Sequence, residues 1–354
     1  MIKLSLLCII ASFLLSLALT PAAKKIAVRF GVMDIPKDAR RMHKKPIPRM
    51  GGLAIYIAFI VISLSVCNID KKLLLTLAGA TMIAILGIID DKCALPPLPK
   101  LIIQLIAAVL PVAGGLRIDF LNPFGVAEKG YWFMGWLSIP LTVIWIVGVT
   151  NAINFVDGLD GLAGGVSTIA CASLLATAVL TGASYNSIIL LSALIGACLG
   201  FLPYNFHPAS VFMGDTGSTL LGYMLSVIAV GGMFKTTITI SFIIPVIALG
   251  LPIVDTAFVI MRRMLNGKSP MAPDKTHLHH KLIELGFSQV KTVLIIYFMC
   301  AVCGIISVGL ATDYNPTMWW TVLVCYILCI FFVRILLTAY HKKELDKKED
   351  VNNG

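Results

Sequence analysis

The sequence predicts an all-α polytopic integral membrane protein of about eleven transmembrane helices, its N-terminus outside and its C-terminus cytoplasmic, on three observations. The 354 residues are 58% hydrophobic and 13% charged, and a mean hydropathy of +0.93 leaves too little polar surface to enclose a soluble core. Apolar stretches near the length that crosses a bilayer, about 20 residues, recur along the whole chain. Lys and Arg are confined largely to alternate loops between those stretches.

The stretches run approximately over 2–20, 52–67, 73–89, 101–115, 136–151, 163–181, 187–202, 217–234, 237–259, 292–311 and 319–338. In the first, Lys3 ahead of an apolar run and Thr20-Pro21-Ala22-Ala23 also fit a cleaved leader. Nine Lys and Arg follow in 21–51 and would resist translocation, which favours an uncleaved span. Loops 21–51, 90–100, 262–291 and the tail after 339 hold 21 basic residues, against six on the opposite side. That asymmetry puts the basic loops in the cytoplasm, beneath an inner (plasma) membrane. The longest exterior loop, 116–135, carries Trp132, Phe133 and, just beyond it, Trp136, which suit a membrane interface. One integral domain is expected over 1–340, followed by a charged cytoplasmic tail over 341–354.

The net charge of +10 is explained by orientation in the membrane, so nucleic acid is not an expected partner. The nine cysteines lie mostly within apolar runs and lack the spacing of a disulfide framework or a zinc site. Cys300 and Cys303 form C-x-x-C inside such a run, where packing is the expected role.

Chemistry is signalled by the carboxylates. Of 18 Asp and Glu, Asp90, Asp91, Asp157, Asp160 and Asp215 all fall at cytoplasmic ends of expected spans. Carboxylates so near hydrocarbon are costly unless they bind a cation or react. Asp90-Asp91 closes the third span, ahead of Lys100 and Gln104. Mutual repulsion makes the pair a candidate general base or metal neighbour; a hydrated acidic turn is the alternative.

Asn151, Asn154 and Asp157 recur every three residues, which places them near one edge of a helical turn. Asp160 and several glycines follow, and the next helix points its positive end at any bound phosphate. Pro203 to Ser218 contains Asn205, Phe212 and Gly214-Asp215-Thr216-Gly217-Ser218. Asp215 is the preferred magnesium ligand, although the same segment reads as a helix N-cap.

Two basic loops complete the set. One carries Arg262 and Arg263, then Asp274-Lys275-Thr276-His277-Leu278-His279-His280, whose imidazoles suit phosphate or sugar hydroxyls better than zinc. The other, Asp34 to Gly52, holds Lys44 and Arg49 among prolines and suits a diphosphate, although much of its charge serves topology.

These five motifs, in this order and across nearly the whole chain, resemble the polyprenyl-phosphate N-acetylhexosamine-1-phosphate transferases of glycosyltransferase family 4. Bacterial members start peptidoglycan, teichoic-acid, O-antigen and enterobacterial common-antigen synthesis, and a eukaryotic branch starts N-glycan precursors. The resemblance implies transfer of a sugar-1-phosphate from a UDP-N-acetylhexosamine to undecaprenyl phosphate, with release of UMP. It implies Mg2+, with Mn2+ as a substitute, held by Asp215 and, as a second candidate, Asp157. By the same resemblance Asp90 and Asp91 act on the lipid phosphate or hold it near the metal. Asn154 and Asp157 line the diphosphate site, Asn151, Asp160, Asn205 and Phe212 surround the uridine, and Lys44, Arg49 and Lys100 contact phosphate. An aliphatic residue after the first His, together with Arg262 and Arg263, resembles the branch that uses UDP-N-acetylglucosamine. A phospho-N-acetylmuramoyl-pentapeptide transferase is the runner-up, and a homodimer is left open. An organic-anion transporter fits less well, because nearly all the ionisable groups gather at one face, with Asp255 after Pro252 in the ninth span as the exception, and no internal repeat is evident. A scaffold without catalysis leaves the carboxylates unexplained.

Overall fold

The computed structural model describes residues 1–36, 45–121, 132–231, 243–265, 267, 277–312, 322–324 and 327. Within them the protein is helical apart from two short antiparallel pairs, β1 (Met33–Asp34) with β2 (Ile47–Pro48) and β3 (Phe120–Leu121) with β4 (Trp132–Phe133). The helices are α1 (Ile2–Phe30), α2 (Gly51–Val66), α3 (Lys71–Cys93), α4 (Pro97–Ala113), α5 (Ser138–Val156) and α6 (Leu162–Leu180). They continue with α7 (Tyr185–Asn205), α8 (Gly214–Gly231), α9 (Ile243–Ala248), α10 (Gly250–Leu265), α11 (Leu278–Glu284) and α12 (Gln289–Thr312). Among the described residues, six helices are long and apolar enough to cross a bilayer, and α2 and α4 are shorter apolar helices. The chain is a multi-pass membrane protein.

Helix α8 sits at the centre, packed on α2, α3 and α5, while α1 lies along α7 and α12 along α6. The α1 and α7 faces meet through small residues. Ser12 and Ser16 donate to the carbonyls of Ala193 and Ala197 at 2.7 Å, and Ser5 pairs with Ser192 at 2.6 Å. Gly196 and Gly200 leave room for the α1 backbone, since a Cβ at either would strike it. In lipid, where apolar surfaces gain little by association, this close packing and hydrogen bonding hold helices together.

Two proline-containing helices show how freed backbone groups are satisfied. Pro21 inside α1 removes the donor for the carbonyl four residues earlier, and Tyr204 donates its hydroxyl to that carbonyl, Leu17, at 3.3 Å. Pro111 inside α4 does the same to Ala107, and the buried Tyr223 hydroxyl lies 3.3 Å from that oxygen and 3.3 Å from the Thr76 carbonyl. The first of these pairings lets α1 run on to Phe30 rather than end near residue 20. The expected span over 237–259 is likewise different: its described part divides into α9 and α10 about Leu249, because Pro252 offers no donor to Ala248. Most of the expected last span, 319–338, lies outside the described residues, as does the tail. Cys300 and Cys303 are buried in α12, in keeping with packing.

Replacing Tyr223 with Phe leaves the Ala107 carbonyl, already without a helical donor, unpaired in a medium free of water, at a cost of about 1 kcal/mol. The expected outcome is a lowered thermal unfolding midpoint in detergent with unchanged helix content; an unaltered midpoint refutes this account.

Candidate active site

Because α2 to α8 alternate in direction, α2, α4, α6 and α8 begin at the bundle end where α3, α5 and α7 finish. Arg49 precedes α2, Asp90 and Asp91 end α3, Lys100 opens α4, Asp157 caps α5, Asp160 leads into α6 and Asp215 opens α8. The alternation thereby gathers residues spread over more than 160 positions at one end. Arg49 is set by backbone pairing: its amide donates to Val32 at 3.1 Å, and Phe212 donates to Pro48 at 2.8 Å. Gly51 and Gly52 donate to Phe212 and Met213, each at 2.9 Å. Gly52 and Gly87 lie so close to the start of α8 that a Cβ on either would collide with its backbone.

At the centre, the buried Asp91 carboxylate accepts from the amides of Asp215 at 2.8 Å and Thr216 at 3.1 Å and from the Thr216 hydroxyl at 2.7 Å. The expected cap of α8 is therefore supplied from α3, and Asp215 keeps its side chain for other partners. Arg49 reaches Asp91 at 3.5 Å and Asp215 at 3.6 Å. Lys100 pairs with Asp90 and lies 3.4 Å from Asp215, and Asp90 also accepts from the Leu95 amide at 2.7 Å. Adjacent residues on a helix diverge by about 100°, so the two carboxylates take different partners, Lys100 for Asp90 and the first turn of α8 for Asp91.

Asp157 shares this field. Burial, then the charge of Asp215, pushes its carboxyl up to about 7, against the opposing pull of Arg49. Asn154 donates to the Ser218 hydroxyl at 2.8 Å, tying α5 to α8. Asn151 donates to Gln104 at 2.7 Å, which links it to α4. Asp160 is occupied by the His207 imidazole at 2.8 Å and the Ala209 amide at 3.1 Å.

Asn205 is buried, accepting from the Gly161 amide at 3.1 Å and donating to the Val211 carbonyl at 3.1 Å. Its amide thus fastens the turn before α6 to the segment before α8. Phe212 contributes backbone to the latch that carries Arg49.

The histidine turn abuts the Asp157 turn. His277 donates from Nδ1 to Asp255 at 2.7 Å, and its ring lies 5.8 Å from Phe155 and 5.8 Å from His279, nearly parallel to the latter. Burial, with His280 and His277 beside it, holds His279 well below its ordinary pKa and therefore neutral. His280 packs against it at 4.2 Å. At the end of α10, Arg262 is exposed and Arg263 buried, so the pair does not form one basic surface. Lys44 lies outside the described residues, as do Lys268 and Asp274 to Thr276. Sequence reasoning missed Ser218 and Gln104 as partners, Gly158 as a contact of His279, and Asp255 as the partner of His277. An acidic residue inside an apolar run was the signal for the last.

No group of three or more His, Cys, Asp or Glu among the described residues is arranged as a ready metal site. The donors nevertheless suit a hard divalent cation, being carboxylate oxygens. Among the described residues, Asp90, Asp91, Asp157 and Asp215 meet two cationic side chains at the centre, Arg49 and Lys100, and Arg49 also lies 4.0 Å from Asp34. Among the four, Asp215 and Asp157 are the residues available to hold such an ion.

The chain is similar to known proteins over most of its length. Residues 73–233 match the family model described as glycosyl transferase family 4. A probable undecaprenyl-phosphate N-acetylglucosaminyl 1-phosphate transferase of Bacillus subtilis is 43% identical over 91% of this chain and 88% of its own length. A decaprenyl-phosphate N-acetylglucosaminephosphotransferase of Mycolicibacterium smegmatis is 35% identical over 81% of this chain and 76% of its own. A phospho-N-acetylmuramoyl-pentapeptide-transferase of Shouchella clausii is 30% identical over 84% of this chain and 93% of its own. Likeness of that extent, on a bundle that gathers the same acidic segments at one end, means that the chain belongs to glycosyl transferase family 4.

Proposed function

We propose that this protein transfers N-acetylglucosamine-1-phosphate from UDP-N-acetylglucosamine to undecaprenyl phosphate, giving undecaprenyl-diphosphate-N-acetylglucosamine and UMP. The observation that carries the reading is the convergence of Asp90, Asp91, Asp157 and Asp215 with Arg49 and Lys100 at one end of the bundle. The choice of sugar is supported by the names of the Bacillus and Mycolicibacterium relatives, which are more similar than the pentapeptide transferase. The residue order at His277-Leu278-His279-His280 supports it as well. An eleven-span chain with an external N-terminus, forming a single integral domain over 1–340, would turn this end toward the cytoplasm. There a prenyl chain can lie between helices while its phosphate reaches the polar boundary.

In this mechanism an oxygen of the lipid phosphate bonds to the sugar-linked phosphorus as the bond from that phosphorus to the bridging oxygen breaks, and UMP leaves with the electron pair. A phosphate monoester has a second pKa of about 6, so near neutrality the acceptor is already largely dianionic and placement matters more than a base. Arg49 and Lys100 hold positive charge beside the reacting phosphates. Asp90 orients Lys100, and Asp91 fixes the α8 terminus from which Asp215 projects. A magnesium ion held by Asp215 and Asp157 would neutralise charge on the diphosphate. Direct attack is preferred over an aspartyl-phosphate on Asp91, because a covalent step there must first strip the carboxylate of three donors.

Purified protein given Mg2+, undecaprenyl phosphate and a panel of UDP-sugars is expected to release UMP with UDP-N-acetylglucosamine. Release with UDP-N-acetylmuramoyl-pentapeptide alone reverses the choice of donor, and release with none removes the transferase reading. Labelled donor is expected to leave no phosphate on the protein. A covalent label that disappears in Asp91→Asn but persists in Asp215→Asn establishes the two-step route instead.

Below about pH 7 Asp157 carries a proton that an incoming cation must displace. Magnesium affinity measured by calorimetry is therefore expected to rise roughly tenfold from pH 5.5 to 6.5 and to level off above 7, as for release of one proton. Asp157→Asn should flatten this dependence, and a slope retained in that variant shows that another group titrates.

A further inference from the structure

Asp255 stands on α10, inside a predominantly apolar helix, and no role in the reaction described above falls to it. It is 5% exposed, yet both of its oxygens are used: Oδ2 accepts from His277 Nδ1 at 2.7 Å and Oδ1 from the Leu278 amide at 3.0 Å. A carboxylate can only accept here, so His277 carries its proton on Nδ1 and directs Nε2 away from α10. The same two bonds hold the start of α11 against α10. From this anchor the His277 and His279 rings stand almost parallel, 11° apart in plane. His279 lies so close to Gly158, the neighbour of Asp157, that any side chain there would collide with its Nε2. That nitrogen is buried and, among the described residues, has no hydrogen-bond partner. His277 itself lies beside Phe155, between the two polar residues Asn154 and Asp157.

We infer that Asp255 is a positioning residue for the donor site: its carboxylate fixes the tautomer and seat of His277 and, through it, presses the histidine turn onto the Asp157–Gly158 turn where the sugar-phosphate binds. The inference rests on the transferase reading given above. Its chemistry is that of an imidazole oriented by a second-layer carboxylate, which determines which ring nitrogen meets the ligand. The rest of the machinery lies at Arg49 ahead of α2 and at the ends of α3, α4, α5 and α8, so α10 contributes through this contact and through no carboxylate of its own at the central cluster.

Asp255→Asn keeps the size of the side chain but turns an amide NH2 toward one of the two donors. It is expected to lower kcat for UMP release by about 10- to 100-fold, with the KM for undecaprenyl phosphate unchanged. His277→Gln is expected to lower kcat comparably, and the double variant no further, because Asp255 acts through His277. In protein labelled with 15N-histidine, the His277 Nδ1–H resonance is expected to shift or vanish in Asp255→Asn. Multiplying losses in the double variant, or wild-type kcat with only a lowered thermal midpoint in Asp255→Asn, overturn the inference. Should Asp255→Asn not fold, Asp255→Glu moves the carboxylate by one methylene and is expected to lower kcat while sparing the lipid KM; unchanged kcat overturns the proposal. Failure of the unaltered protein to release UMP from any UDP-sugar sinks the transferase reading, whereas activity that ignores residue 255 sinks this inference alone.

Discussion

The arrangement depends on one buried contact, the Asp91 carboxylate against the first turn of α8. Taking a carboxylate out of water costs several kcal/mol, and here the cost is offset by two backbone amides, the Thr216 hydroxyl and Arg49 at 3.5 Å. A helix N-terminus carries partial positive charge and unsatisfied donors. With those donors taken by α3, Asp215 has no need to fold back over its own helix. Its side chain is 25% exposed, against 0% for Asp91 and 4% for Asp90. The glycines at positions 52 and 87 follow from the same contact, since α2 and α3 must approach the α8 backbone for it to form.

The bundle solves a similar problem at other depths. A proline in a membrane helix leaves a carbonyl without its donor, and water is absent to replace it. Tyr204 and Tyr223 each bring a hydroxyl from a neighbouring helix to such a carbonyl. These contacts also cross-link helices, so the irregularity in one element becomes part of its packing on another. Rigidity of this kind serves the site, because Tyr204 lies in α7 one residue before Asn205 and Tyr223 lies in α8 two turns beyond Asp215.

Much of this was legible in the residues. Carboxylates at the ends of apolar runs are rare enough to mark chemistry, and the basic loops marked the shared end of the helices without any tertiary information. What each carboxylate touches was not legible. Asp91 and Asp215 are 124 positions apart, and nothing local distinguishes a carboxylate that caps a distant helix from one that meets a ligand. Adjacency suggested one shared partner for Asp90 and Asp91, whereas the helix gives them different ones, Lys100 and the start of α8. The bonds of Asn205 to Gly161 and Val211 were equally hidden, because motifs record which residue is required and not what it holds. The break near Leu249 was readable from Pro252, yet hydropathy averaged across it.

Charge balance explains why so many fixed groups are needed. Two phosphate-bearing substrates bring roughly three to four negative charges, and among the described residues the four central carboxylates, when ionised, outnumber Arg49 and Lys100. Arg49 and Lys100 cannot by themselves serve both demands, because each is engaged by carboxylates in the protein alone. A single divalent ion at Asp215 and Asp157 would balance the protein's own excess and leave the two cationic side chains to face the phosphates. The raised proton affinity of Asp157 reflects its burial first and the neighbouring charge of Asp215 second, so a cation placed there must compete with a proton. On the proposed reading the acidic cluster serves to hold that cation rather than to supply general bases.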